Sequence, residues 1–109
     1  MSALRQRTEE IACGGVDFPS DKIEFEPGSE DQGRDIRNLR KINHPSSSDG
    51  FFLDHARKPA LLEAVASLLG PDLKLFGDQL FVKPPGGIEK TYHQDSPYFK
   101  IEPMALVTA

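Results

Sequence analysis

Between Val82 and Thr91 the chain carries Lys83-Pro84-Pro85-Gly86-Gly87, and no regular element can run through it. The two prolines lack amide hydrogens and hold φ at about −65°, and the two glycines supply the freedom that a tight turn needs. The apolar, β-prone run Leu80-Phe81-Val82 must stop here, and the chain turns before Thr91-Tyr92-His93 resumes extended character. The turn is followed by His93-Gln94-Asp95. Residues i and i+2 of a strand share a face, so an extended segment brings His93 and Asp95 together and points Gln94 away. One imidazole nitrogen and one carboxylate oxygen are two of the three ligands of the 2-His-1-carboxylate arrangement, which holds non-haem Fe(II) and leaves coordination positions open. A hydrogen-bonded His–Asp pair without metal is the other reading of the same residues.

The rest of the chain predicts a helical beginning and a β ending. Leu4, Thr8, Ile11 and Ala12 recur at near-helical spacing over Ser2 to Ala12, and Gly14-Gly15 supplies a stop. Ile23-Glu24-Phe25-Glu26 alternates apolar and charged residues, as a half-buried strand does, and Leu39 to Ile42 suggests another. His44 to Gly50 is a loop by its Pro, Ser and Gly content, and Phe51 to His55 forms a short helical turn. Pro59 to Leu69 is the clearest helix, opened by Pro59 and closed by Gly70-Pro71. Its Leu61, Leu62, Val65, Leu68 and Leu69 form an apolar stripe that predicts packing against the sheet. Leu73 to Val82 predicts the longest strand, mixed on both faces.

The formal charge is −4 and there is no basic run, so nothing here suggests nucleic acid. Glu26 to Gln32 reads as a solvated acidic loop. No segment approaches the ~18 consecutive apolar residues of a membrane span, and the N-terminus lacks an apolar signal core. A cytoplasmic location is the resulting expectation. Cys13, the single cysteine, cannot form an internal disulfide. His44, before a proline in a polar loop, and His55, after an acidic residue on a helix, read as surface residues rather than ligands.

The run from Arg40-Lys41-Ile42 through Leu75 to Gly87 and on to His93-Gln94-Asp95-Ser96-Pro97-Tyr98-Phe99 closely resembles the phytanoyl-CoA dioxygenase family of Fe(II)/2-oxoglutarate oxygenases. The resemblance covers the chain from about Leu39 onward; Met1 to Asn38 fit its more variable N-terminal part. The combination of Lys-Pro-Pro, His-Gln-Asp and a following Tyr-Phe pair carries it. By this resemblance His93 and Asp95 are the first two iron ligands, Lys41 helps hold the 2-oxoglutarate cosubstrate, and Gln79 lines the same pocket. The implied reaction couples oxidative decarboxylation of 2-oxoglutarate, giving succinate and carbon dioxide, to hydroxylation of a C–H bond. The implied fold is α+β: part of a double-stranded β-helix of the jelly-roll or cupin-like kind, with N-terminal and flanking helices. Residues 1–38 form the variable part and 39–109 the first part of the oxygenase domain.

The family's second histidine ligand, and the arginine that pairs with the far carboxylate of 2-oxoglutarate, come from later strands that have no counterpart in these residues. At 109 residues the chain can form one small core, whereas a complete jelly-roll oxygenase needs roughly twice that length. The apolar run Met104 to Ala109 would leave an unpaired edge strand. The expectation is therefore a fragment without activity of its own. A non-catalytic binding module, or a different metal enzyme such as a Zn²⁺ hydrolase, remains open.

Overall fold

The structure, a computed structural model, describes residues 2–109 and is α+β: four α-helices and a three-stranded antiparallel sheet among the described residues. Helix α1 (Ala3–Ala12) begins where the Ser2 hydroxyl accepts from the Arg5 amide, satisfying an amide the helix itself leaves unpaired. It ends in a Schellman arrangement. Gly14 sits at φ 76°, its amide bonds to Ile11 O, and the Gly15 amide reaches Glu10 O at 2.7 Å. The Arg34 guanidinium then donates to the carbonyls of Ile11 and Ala12, closing the last turn with a cation.

Strands β1 (Ile23–Phe25), β2 (Leu39–Asn43) and β3 (Gln79–Phe81) pair in the order β1-β2-β3. Leu39 and Ile42 lie three apart, a spacing that puts side chains on opposite faces of a regular strand, yet both are fully buried. The register explains it: Glu24 faces Lys41 and Phe25 faces Leu39, so Arg40 is an extra residue that bulges out and returns the apolar face to the core. Ile11, Ala12, Phe18 and Phe52 complete that core, with Ile23, Phe25, Leu80 and Val82 packed around it. The opposite face carries Glu24, Lys41, Asn43, Gln79 and Phe81.

Helix α2 (Gly50–Ala56) begins at Asp49, whose carboxylate accepts from the Phe51 amide. Helix α3 spans Pro59–Leu69, the predicted range. Its apolar stripe does not pack on the sheet, contrary to expectation. None of its residues is buried, and Leu62, Leu68 and Leu69 are exposed. The apolar sheet face is already occupied by α1 and α2, through Ile11 and Phe52.

The long strand expected over Leu73 to Val82 is also corrected, since only Gln79–Phe81 pairs. Its partner β2 ends because His44 turns left-handed at φ 48° and Pro45 opens a 3-10 turn, so the ladder has nothing to continue along. The His44 amide still reaches Asp78 O at 2.8 Å, and the Ser46 amide and hydroxyl both donate to the Asp78 carboxylate. Asp78 is therefore tied to the 3-10 turn by polar bonds rather than by a ladder. The run Met104 to Ala109, expected to be strand-like, forms no strand.

The Pro84 to Gly87 turn is built as its composition dictates. Pro85 and Gly86 occupy the central positions, Gly86 at φ 79°, and the Gly87 amide closes the turn on Pro84 O at 2.9 Å, a type II arrangement. The Glu26 carboxylate anchors it: Oε2 accepts from the Ile88 amide, and Oε1 is buried beside Gly87 without a hydrogen-bond partner. A Cβ on Gly87 would lie 3.0 Å from Pro84 O and 3.1 Å from Glu26 Oε1. Gly87→Ala should therefore cost about 1–3 kcal/mol through overpacking. It should also loosen residues 88–93, seen as a lower thermal midpoint together with faster amide exchange at Ile88.

Candidate metal centre

His93 and Asp95 meet, but not on a strand. His93 lies in an irregular extended stretch, and Asp95 is the first residue of α4 (Asp95–Phe99), which Gln94 precedes in extended conformation. The sequence Asp95-Ser96-Pro97 suits a helix start better than a strand, with an acidic residue beside the positive end of the helix and a proline in its first turn. The outcome is still convergence. His93 Nε2 is 3.2 Å from Asp95 Oδ1, with the side chains 41% and 33% exposed.

Each partner is held from behind. His93 Nδ1 is 2.9 Å from the carbonyl oxygen of Thr91. A carbonyl only accepts, so Nδ1 carries the proton and, in the neutral ring, Nε2 presents a lone pair. On the other side the Thr108 hydroxyl donates to Asp95 Oδ2 at 2.5 Å. Nε2 and Oδ1 are thus two acceptors aimed at each other, an arrangement that needs a cation between them or a second proton on the ring. Two neighbouring ligands of an octahedral ion, with bonds of about 2.1 Å, lie about 3.0 Å apart. The observed separation fits two positions on a divalent ion. Among the described residues, no three His, Cys, Asp or Glu side chains cluster closely enough to hold an ion.

An open cleft of about 470 Å³ lies beside the pair, lined by Asp95, Ser96, Pro97, Met104, Leu106 and Thr108 together with Gln94. The His93 ring also stands 6.2 Å from that of Tyr98, which meets Phe99 edge-on at 5.0 Å; Phe99 in turn meets Phe76 at 5.2 Å. These aromatics form an exposed patch rather than core, with Phe76 58%, Tyr98 69% and Phe99 42% exposed.

Lys41 and Gln79 lie elsewhere, on the polar face of the sheet. Lys41 stands opposite Glu24 on one side and Phe81 on the other, and Gln79 stands opposite Asn43. The Lys41 ammonium is 3.9 Å from Glu24 Oε1 and 5.4 Å from the centroid of the Phe81 ring, so both an acid and an aromatic face hold it. The register makes Lys41 and Gln79 diagonal neighbours on that face. Among the described residues no hydrogen bond or ion pair joins either of them to His93 or Asp95. His44 and His55 are not brought to the pair either. Neither Thr91 nor Thr108 carries a signal in the sequence. A backbone carbonyl has no side-chain signature, and the Thr108 contact depends on how the chain folds back across α4.

The family model for phytanoyl-CoA dioxygenase (PhyH) matches residues 1–109. The chain belongs to the phytanoyl-CoA dioxygenase family. The match takes in residues 1–38 as well, which carried little of the resemblance, and so extends it over α1 and β1. No curated protein and no solved structure matches the chain significantly. At the family level it therefore stands among dioxygenases of the Fe(II)/2-oxoglutarate type, and the three-stranded sheet with its helices is compatible with part of a cupin-like fold. No helix among the described residues is long and apolar enough to cross a membrane.

Proposed function

We propose that the chain supplies the first two metal ligands and part of the cosubstrate pocket of a ferrous, 2-oxoglutarate-dependent hydroxylase, and that these 109 residues do not turn over alone. The observation that carries the reading is the facing pair His93 Nε2 and Asp95 Oδ1 at 3.2 Å, each side chain pinned from behind. In the proposed centre these two atoms hold Fe(II), and a histidine outside the 109 residues completes the set. Residues 39–109 are then the opening part of a jelly-roll domain, with 1–38 as its variable flank, and the setting is cytoplasmic.

Bound iron with 2-oxoglutarate supplies the oxidising power for hydroxylation of a C–H bond. The chain's own residues bind and orient. Lys41 offers a cation, held in place by Glu24 and Phe81, to a carboxylate of the cosubstrate, and Gln79 adds an amide donor on the same face. The Thr91 carbonyl keeps His93 in the tautomer whose Nε2 is free to ligate. The cleft beside Asp95, with Met104 and Leu106 on its wall, offers a partly apolar surface to a small-molecule substrate.

The test is succinate release from 2-oxoglutarate with Fe(II) and ascorbate, for these 109 residues and for a longer product of the same gene. Succinate from the longer form alone is the expected result. Turnover by neither would support a non-catalytic binding module, and Zn²⁺-dependent hydrolysis without consumption of 2-oxoglutarate would support a hydrolase.

A further inference from the structure

We infer that Thr108 is a positioning residue for the metal centre: by donating its hydroxyl hydrogen to Asp95 Oδ2 it selects Oδ1 as the ligating oxygen and holds it towards His93 Nε2. This rests on the reading of His93 and Asp95 as metal ligands and says which group makes that pair competent.

A carboxylate on the first residue of a short helix turns about two side-chain bonds and can ligate through either oxygen or both. In this structure the neighbouring residues make that choice. Oδ2 is engaged by Thr108, Oδ1 faces the imidazole, and the imidazole is held by Thr91 O. The two threonines hold the two ligands from opposite sides, one through a backbone carbonyl on the segment entering the site and one through a hydroxyl 13 residues beyond Asp95. The hydrogen bond also removes negative charge from Oδ2 and so favours ligation through one oxygen. That leaves positions on the ion for cosubstrate and oxygen. The same contact draws the 104–108 segment across the start of α4 to form the wall of the cleft with Met104 and Leu106. One hydrogen bond therefore links the orientation of the Asp95 carboxylate to the wall of the cleft.

Outer contacts of this kind change metal affinity by about 10- to 100-fold. The experiment is a Mn²⁺ titration of the 109-residue chain, followed by paramagnetic broadening of the His93 and Asp95 side-chain NMR signals, which registers even millimolar affinity site by site. Thr108→Val keeps the shape and removes the donor. It should weaken Mn²⁺ binding by roughly 10-fold or more, and Thr108→Ala should match it. Thr108→Ser keeps the hydroxyl and should bind as the parent does. Equal weakening by Val and Ser, or none by Val and Ala, would overturn the role of Thr108 while leaving the metal reading intact. No broadening at His93 or Asp95 in the parent chain would overturn the metal reading and this role together.

Discussion

Replacing Asp49 with alanine should lower the stability of the fold by about 3 kcal/mol and the thermal midpoint by roughly 10–20 °C. Asp49 performs two jobs with one buried carboxylate. Oδ1 accepts from the Phe51 amide and starts α2, and Oδ2 accepts from Arg7 Nε at 2.9 Å and from its terminal nitrogen at 2.7 Å, joining α1 to α2. The side chain is only 4% exposed, so its loss leaves an uncapped amide and a guanidinium without its main partner. The Asp49 hydrogen bond, followed by that to Glu10, holds the Arg7 pKa above its ordinary value. The cap is worth about 1 kcal/mol and the charge-assisted bonds about 2. The second figure is kept low because Arg7 remains 31% exposed and retains Glu10. Asp49→Asn preserves the cap and should lose only about half as much. Asp54→Ala, on the exposed side of the same helix, should change the midpoint little. Thermal unfolding followed by circular dichroism distinguishes the three, and an unchanged midpoint for Asp49→Ala would show that the α1–α2 junction is held by apolar contacts alone.

His93→Ala should weaken divalent metal binding by about 100-fold or more while leaving the fold as stable as the parent, to within about 0.5 kcal/mol. A site with two protein ligands depends on both, because neither an imidazole nor a single carboxylate oxygen holds a divalent ion strongly by itself. The ring is 41% exposed and supports no core packing, so the structural cost is small. Asp95→Ala should have the same effect on binding, and the double variant should add almost nothing further, since the two act as one chelating unit. In any form of the protein that turns over 2-oxoglutarate, His93→Ala should abolish that turnover. Metal affinity and thermal midpoint measured together decide the matter: undiminished affinity in His93→Ala would remove the imidazole from the centre.

Much of the local structure was legible because it depends on neighbours in sequence. Ser2 and Gly14 bracket α1, Pro59 and Gly70 bracket α3, and Pro85-Gly86 makes the turn its residue types demand. The apolar pattern overstates β3 because a strand exists only where a partner runs beside it, and His44 and Pro45 withdraw that partner after Asn43. The resting place of α3 is not legible in its stripe, because periodicity says that a face is apolar, not what will cover it. His93 and Asp95 were identified correctly as neighbours for a reason that did not hold, since a helix start rather than a strand brings them together.

By itself the sequence determined the family, the residue types that face each other at the candidate centre, and the positions of the sharpest turns. These follow from side-chain chemistry and from backbone restrictions that proline and glycine impose locally. Only the tertiary structure decided which oxygen of Asp95 faces the imidazole, that Thr108 holds the other, that Arg40 bulges so that Leu39 and Ile42 share a core, and that Asp49 locks two helices. Those depend on contacts between residues far apart in the chain, and a contact of that kind is settled by how the segments pack, which no local pattern records.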